Sequence, residues 1–112
     1  MQSHPMFDAQ LSAFARALQA EERSPRTIEK YLRDAGAFTA WLRDAPLTRE
    51  SAAAWKAALL NRGYAPASIN SMVAAVNKFF LFLGRPECRT EPLRLQRLRV
   101  RVTGRALARG GE

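Results

Sequence analysis

The sequence predicts an all-α protein: a compact bundle of four main helices, arranged as two helical hairpins, with an extended basic C-terminal tail. Three observations predict this fold class. Apolar residues recur at three- and four-residue steps in four segments. Three of these segments begin at a helix start signal and are followed by Gly or Pro. Strand-like alternation occurs only near the C-terminus, where no second strand is available to pair with it.

The first two helices are predicted from Met6 to about Glu22 and from Pro25 to a point before Pro46. Along the first helix runs one apolar stripe, formed by Phe7, Leu11, Phe14, Ala15 and Leu18. At the start of the second helix, Ser24 can cap the free amides, and proline in the first turn costs no hydrogen bond. Its stripe is formed by Ile28, Tyr31, Leu32, Ala35, Phe38 and Leu42.

The third and fourth helices are predicted after Thr48 and from Pro66 to about Leu83. Thr48 can cap the third helix, and Gly63 suits the left-handed position that follows its end. The third helix has a thin apolar stripe of Ala52, Trp55 and Leu59. The fourth helix is the most strongly patterned segment, with inward positions Ile69, Met72, Val73, Val76, Phe79, Phe80 and Leu83.

The second and fourth helices carry a similar pattern 41 residues apart. SPRTIEKYLRDAGAFTAWL, residues 24–42, aligns position by position with APASINSMVAAVNKFFLFL, residues 65–83. Two copies are too few for a solenoid, so a compact pair of helical hairpins is the better interpretation. The alternative explanation is that any two buried helices with the same start signal look similar.

The second copy of the pattern lacks a capping side chain. Ala65 stands where the first copy has Ser24. The loss of a capping oxygen costs roughly 1 kcal/mol unless another group satisfies the amides. Water satisfies an exposed helix end, and a phosphate can also do so through the free N–H groups and the helix dipole.

The net charge of +8 is concentrated in the tail. Residues 89–112 carry 7 Arg and 2 Glu, whereas residues 1–88 carry 11 Lys or Arg and 8 Asp or Glu. We therefore divide the chain into a helical domain, residues 1–88, and a basic linker, residues 89–112. Such a tail predicts a polyanionic partner, nucleic acid ahead of anionic lipid or an acidic protein.

The sequence contains no recognisable catalytic or metal-binding signature. His4 and Cys88 are the only histidine and cysteine, and they lie far apart. We therefore expect no metal, no cofactor and no enzymatic activity from this chain by itself. We also expect a soluble, cytoplasmic protein, because no apolar run could span a bilayer and no secretion signal is present. The aromatic residues on the apolar stripes are expected to pack in the core; the less certain aromatics are Trp41, Trp55, Tyr64 and Phe82.

Two loose motifs occur in a fixed order. The first motif consists of Ser24, Pro25, Thr27, Ile28, Tyr31, Phe38, Trp41 and Leu42. The second consists of Gly63, Tyr64, Pro66, Ser68, Ile69, Asn70, Phe79, Phe80 and Leu83. Together they resemble the N-terminal SAM-like domain, or core-binding domain, of tyrosine recombinases such as phage and transposon integrases. The resemblance covers about residues 8–85, and the tail RLQRLRVRV followed by RALARGGE resembles the interdomain linker of the family.

The resemblance implies that the protein binds double-stranded DNA and helps to position it for site-specific recombination. In that family a C-terminal catalytic domain supplies a tyrosine nucleophile with arginine, lysine and histidine partners, and this chain stops where that domain would begin. The expected partners are therefore DNA, the catalytic domain of the same recombinase, and other recombinase protomers. We expect neither a membrane nor a small-molecule substrate as a partner.

The resemblance also implies which residues face DNA, namely the N-terminal halves of the second and fourth helices in the major groove. The candidates there are Arg26, Thr27, Lys30, Arg33, Ser68, Asn70 and Ser71. These are polar positions off the apolar stripes, near two helix N-termini that could accept phosphate. Backbone contacts are expected to be added by Lys78, Arg85, Arg94, Arg97, Arg99 and Arg101.

Two alternative functions are compatible with the sequence. The first is a helical protein–protein interaction module that docks or self-associates through its exposed face or its Leu/Val/Arg-rich tail. The second is an independent helix-turn-helix regulator, for which the doubled pattern would have little purpose. Charge reversal at Arg26, Lys30 and Arg33 distinguishes DNA binding from the first alternative, because only a DNA-binding surface depends on those positive charges.

Overall fold

The computed structural model describes residues 5–93. In this range the chain forms α1 (Pro5–Ala20), α2 (Pro25–Leu42), α3 (Arg49–Asn61) and α4 (Pro66–Phe82), followed by a single-turn 3-10 helix, Pro86–Cys88. No strand is present among these residues. The predicted all-α bundle of four main helices is confirmed, while the extended tail lies mostly outside the described residues.

The helix boundaries agree closely with the sequence pattern. The largest difference is at α1, which was expected to reach about Glu22 and ends at Ala20. The chain turns through a left-handed conformation at Glu22, where φ is 60°, and this conformation cannot continue a right-handed helix. The α3–α4 turn uses Gly63 at φ 89°, as the sequence predicted.

The core lies between α2 and α4, and α1 and α3 pack against this pair. Phe38 of α2 meets Trp55 of α3 and Phe80 of α4 edge-on, at ring-centroid distances of 5.3 and 5.4 Å. On the α1 side, Phe14 lies 5.1 Å from Phe79. The fully buried large side chains are Phe14, Leu18, Phe38, Ile69, Val73, Phe79 and Phe80. The apolar stripes therefore form one continuous core.

The less certain aromatic residues divide into two groups. Trp55 is buried in the core. The side chains of Trp41, Tyr64 and Phe82 are exposed, although Trp41 stacks on Phe38 at 6.3 Å and Phe82 lies 5.4 Å from Phe14. Trp41 and Phe82 therefore take part in aromatic packing while they stay partly accessible.

The helix starts form as the sequence predicted. The Ser24 hydroxyl accepts a hydrogen bond from the Thr27 amide and caps α2. At α3, Thr48 and Ser51 cap each other's backbone amides reciprocally. At α4, Ala65 makes no side-chain hydrogen bond, so the missing cap is confirmed. Among the described residues, no helix is both long and apolar enough to cross a membrane.

Candidate nucleic-acid interface

The N-terminal halves of α2 and α4 lie side by side. The Lys30 ammonium, on the second turn of α2, donates a hydrogen bond to the Ser71 carbonyl oxygen of α4 at 3.0 Å. It also donates to Asp34 Oδ2, one turn further along α2, at 2.6 Å. This contact brings together two of the helix N-termini that the sequence singled out. We call the surface formed by residues 26–33 and 67–71 the α2/α4 face.

Asp34 balances the charge of Lys30 on this face. Its side chain is only 6% exposed and accepts from Lys30, while Arg33 Nε lies 3.9 Å from Asp34 Oδ1. A buried carboxylate needs such partners because burial without them removes its hydration at a large cost. Lys30 therefore links α2 to α4, with two of its three N–H donors used by Asp34 and Ser71, and one donor remains for another acceptor.

Two arginines supply the accessible positive charge on the α2/α4 face. Arg26 is exposed in the first turn of α2 and forms no ion pair with any residue between 5 and 93. Arg33 is 68% exposed, and its contact with Asp34 is long. The two positions are about 10.5 Å apart along the helix axis, so their guanidinium groups can reach different phosphates.

The predicted hydroxyl-bearing residues differ in their availability. Ser68 and Ser71 are exposed on the first two turns of α4. Thr27 is half-buried, and its hydroxyl accepts a hydrogen bond from Ser24 at 2.9 Å. The Thr27 hydroxyl therefore belongs to the α2 cap, while the serines of α4 remain open to solvent beside an uncapped helix start.

Asn70 uses both ends of its amide within the chain. Its Nδ2 donates to the Leu93 carbonyl oxygen at 3.0 Å, and its Oδ1 accepts from the Leu93 N–H at 2.6 Å. In the sequence, Asn70 is a polar position off the apolar stripe near the start of α4, and nothing in the pattern indicates this partner. The only available signal was the presence of two asparagines, Asn70 and Asn77, seven residues apart on the same helix.

Lys78 and Arg85 lie beyond the α2/α4 face, towards and past the C-terminal end of α4. Lys78 Nζ is 3.3 Å from Glu21 Oε1, in the turn after α1. Arg85 pairs with Glu87 at 2.6 Å and donates to the Leu47 carbonyl oxygen at 2.9 Å. Hydrogen bonding to Glu87 raises the pKa of Arg85, and the same bond lowers the pKa of Glu87. These two cations therefore have intramolecular partners.

The remaining candidates fall outside the described residues: Arg94, Arg97, Arg99 and Arg101. Residues 5–93 contain no group of three or more His, Cys, Asp or Glu residues that could hold a metal ion.

Together these features define a small all-α domain with a basic face at two adjacent helix N-termini. The model of the family described as phage integrase, N-terminal SAM-like domain, matches residues 11–87. The chain therefore belongs to the phage integrase N-terminal SAM-like domain family, and its role lies with the tyrosine recombinases. This is the N-terminal domain of that family and not its catalytic C-terminal domain. No curated protein and no solved structure gives a significant match to the chain.

Proposed function

We propose that the chain binds double-stranded DNA as the core-site-binding domain of a tyrosine recombinase. In this proposal the helical domain holds the recombination site while a separate catalytic domain cuts and rejoins the strands. The observation that carries the proposal is the α2/α4 face, where two helix N-termini meet beside exposed Arg26 and Arg33. Membership in the integrase family supports the same function.

The chemistry of the face suits phosphate binding. The first amides of α4 have no side-chain acceptor, and helix N-termini attract anions through such amides and through the helix dipole. Ser68 and Ser71 add hydroxyl donors close to these amides. An α-helix fits the DNA major groove, so two adjacent helix starts can approach the groove together. Most of these contacts would position the DNA without reading its sequence.

The proposal is tested by the binding of the full chain to a fluorescently labelled random duplex over a range of salt concentrations. If about five phosphates are neutralised, the logarithm of affinity falls against the logarithm of salt with a slope near −4.5. Charge reversal of Arg26 and Arg33 to Glu should weaken binding about tenfold or more at low salt and reduce the slope by about 2. A matched double variant, Arg16→Glu with Arg62→Glu, changes the net charge equally at exposed positions off the face.

Three results would count against DNA binding by this face. The first is no binding at low salt. The second is an equal loss in both double variants, which would indicate only a net-charge effect. The third is binding lost entirely when Arg94, Arg97, Arg99 and Arg101 are changed to Gln, which would leave the tail as the only contact.

A protein–protein interaction module remains the second candidate, favoured by an open apolar groove along the start of α2. Ile28 and Leu32 line this groove, and Arg23 and Arg33 flank it. Self-association in sedimentation velocity that is abolished by Ile28→Asp, with no DNA binding, would favour this function over the first.

A further inference from the structure

After α4 the chain turns back and runs along the bundle. Two asparagines of α4 hold this returning segment by its backbone. Asn77 Nδ2 donates to the Thr90 carbonyl oxygen at 2.8 Å, and its Oδ1 accepts from the Thr90 N–H at 3.1 Å. Asn70 binds Leu93 in the same two-bond arrangement. Each side-chain amide thus satisfies both backbone polar groups of one residue.

The spacing of the two asparagines matches that of their partners. Asn77 follows Asn70 by seven positions on the helix, a rise of about 10.5 Å. Leu93 follows Thr90 by three positions, which span about 10 Å in extended conformation. The later residue, Leu93, pairs with the earlier asparagine, so the segment runs antiparallel to α4. The two pairs in matching register form one continuous attachment of the segment to α4.

Two further contacts, one polar and one apolar, hold the same segment. Between the two asparagine contacts, Lys56 Nζ of α3 donates to the Glu91 carbonyl oxygen at 2.5 Å. At the end of the segment, the Leu93 side chain packs against the hydrophobic core. The polar contacts reach main-chain atoms, so they depend on the path of the chain and not on the side chains at residues 90 and 91.

We propose that Asn70 and Asn77 are positioning residues that fix the place and direction in which the chain leaves the helical bundle. Asn70 is the fifth residue of α4, so the chain beyond Leu93 starts beside the α2/α4 face. We call the hydrogen bonds of Asn70 to Leu93 and of Asn77 to Thr90 the asparagine clamp. Without this clamp, the chain would leave the bundle near the C-terminal end of α4, about 18 Å further along the helix. The hydrogen bonds of the clamp form without DNA. Their effect on DNA binding rests on the proposed function.

Hydrogen exchange of single backbone amides, measured by NMR on the full chain, tests the clamp directly. The Thr90 and Leu93 amides should be protected. Asn77→Ala should speed exchange at Thr90 about tenfold, as expected from the loss of its acceptor, and leave core amides of α2 unchanged. Asn77→Asp keeps the acceptor and should retain protection at Thr90. Asn61→Ala, at an exposed asparagine ending α3, is the matched control and should change neither amide.

The clamp is overturned if Thr90 and Leu93 exchange as fast as free peptide amides in the unaltered chain. It is also overturned if Asn77→Ala leaves Thr90 protected, or if the Asp variant loses protection as fully as the Ala variant. An increase in exchange throughout α4 would indicate global destabilisation and would equally contradict a positioning role for Asn77.

A double-variant cycle tests the consequence for DNA. Asn70→Ala with Asn77→Ala should weaken DNA binding of the full chain about threefold to tenfold, because the tail loses its fixed starting point. The same pair should have no effect once the tail arginines are changed to Gln. An equal loss in both backgrounds would mean that Asn70 contacts DNA itself and would overturn the positioning effect. If the unaltered chain binds no DNA, the proposed function fails, whereas the exchange result still decides the clamp.

Discussion

Lys30 Nζ lies 3.0 Å from the Ser71 carbonyl oxygen, and these two residues occupy equivalent positions in the two copies of the internal repeat. The 41 residues that separate them are the same offset that aligns Pro25 with Pro66. Equivalent turns of the two similar helices therefore touch, so the N-terminal halves of α2 and α4 lie side by side.

The link between these helices predicts a stability effect at Asp34. Asp34→Ala should lower the free energy of unfolding by about 2 kcal/mol, because Lys30 loses its buried partner at the helix contact. Urea denaturation followed by circular dichroism measures the change. The control is Glu29→Ala, at an exposed carboxylate on the same helix, which should change stability by less than about 0.5 kcal/mol. Equal effects of the two substitutions would show that the Lys30 link contributes nothing.

The missing cap of α4 predicts a stabilising substitution. The backbone at Ala65 has φ −64° and ψ 143°, close to the −66° and 153° of the Ser24 cap. Ala65→Ser should therefore reproduce the α2 cap and raise the free energy of unfolding by about 0.5 to 1 kcal/mol. Urea denaturation checks the direction, and no change would mean that solvent satisfies these amides as well as a hydroxyl does.

A second substitution at the same position separates stability from DNA binding. Ala65→Asp should also cap α4 and stabilise the fold, since a carboxylate favours the positive end of the helix dipole. It adds a negative charge next to the α2/α4 face, so DNA affinity should fall in this variant and stay nearly unchanged in Ala65→Ser. Equal DNA affinity of the two variants would place the DNA contact elsewhere.

The ion pairs in the turn after α1 predict that the stability of the fold depends on pH. The hydrogen bond from Arg23, and then that from Lys78, hold the pKa of Glu21 below its ordinary value of 4.5. A carboxyl whose folded-state pKa is lowered stabilises the fold above its unfolded pKa, and this contribution is lost as the pH falls through the folded value. NMR titration of the Glu21 carboxyl should show a midpoint below 4.5 that rises more in Arg23→Gln than in Lys78→Gln. A larger rise of the midpoint in Lys78→Gln would mean that Lys78, and not Arg23, is the main cause of the lowered pKa of Glu21.

The buried cysteine predicts slow thiol chemistry. Cys88 is fully buried, and its Sγ lies 3.8 Å from the Leu47 carbonyl oxygen. Burial raises the pKa of the Cys88 thiol, which reduces the reactive thiolate. Reaction with a disulfide reagent at pH 8 should be at least about 100-fold slower in the native protein than in urea. A native rate close to the urea rate would contradict burial of this side chain in solution.

The sequence predicted the helices well because their starts and apolar stripes are local features. Ser24, Thr48 and Gly63 each act within one turn of the residue that they cap or terminate, so their effect can be recognised from spacing alone. The placement of Trp55 in the core was less certain because α3 has a thin stripe. Its burial depends on Phe38 of α2, a partner distant in sequence.

The candidate site was harder to predict because its contacts join distant segments. Helix periodicity shows that Lys30 and Asn70 lie off the apolar stripes, which is compatible with either solvent or a polar partner. Their partners on distant segments are backbone atoms of Ser71 and Leu93, and no side-chain pattern reveals a backbone partner. DNA contact by the α2/α4 face, including Arg26 and Arg33, stays a prediction.

The pairing of α2 with α4 also has a consequence for the order of folding. Phe38 and Phe80 meet across 5.4 Å although the end of α2, all of α3, most of α4 and the two intervening turns separate them in the chain. Contacts of such long sequence separation require closure of a long loop, which makes them slow to form. We therefore expect Phe80→Leu to slow refolding, whereas the local Thr48→Ala change at the start of α3 should mainly accelerate unfolding. In this protein the pairing of the two similar helices would be the rate-limiting event, with α3 settling onto them afterwards.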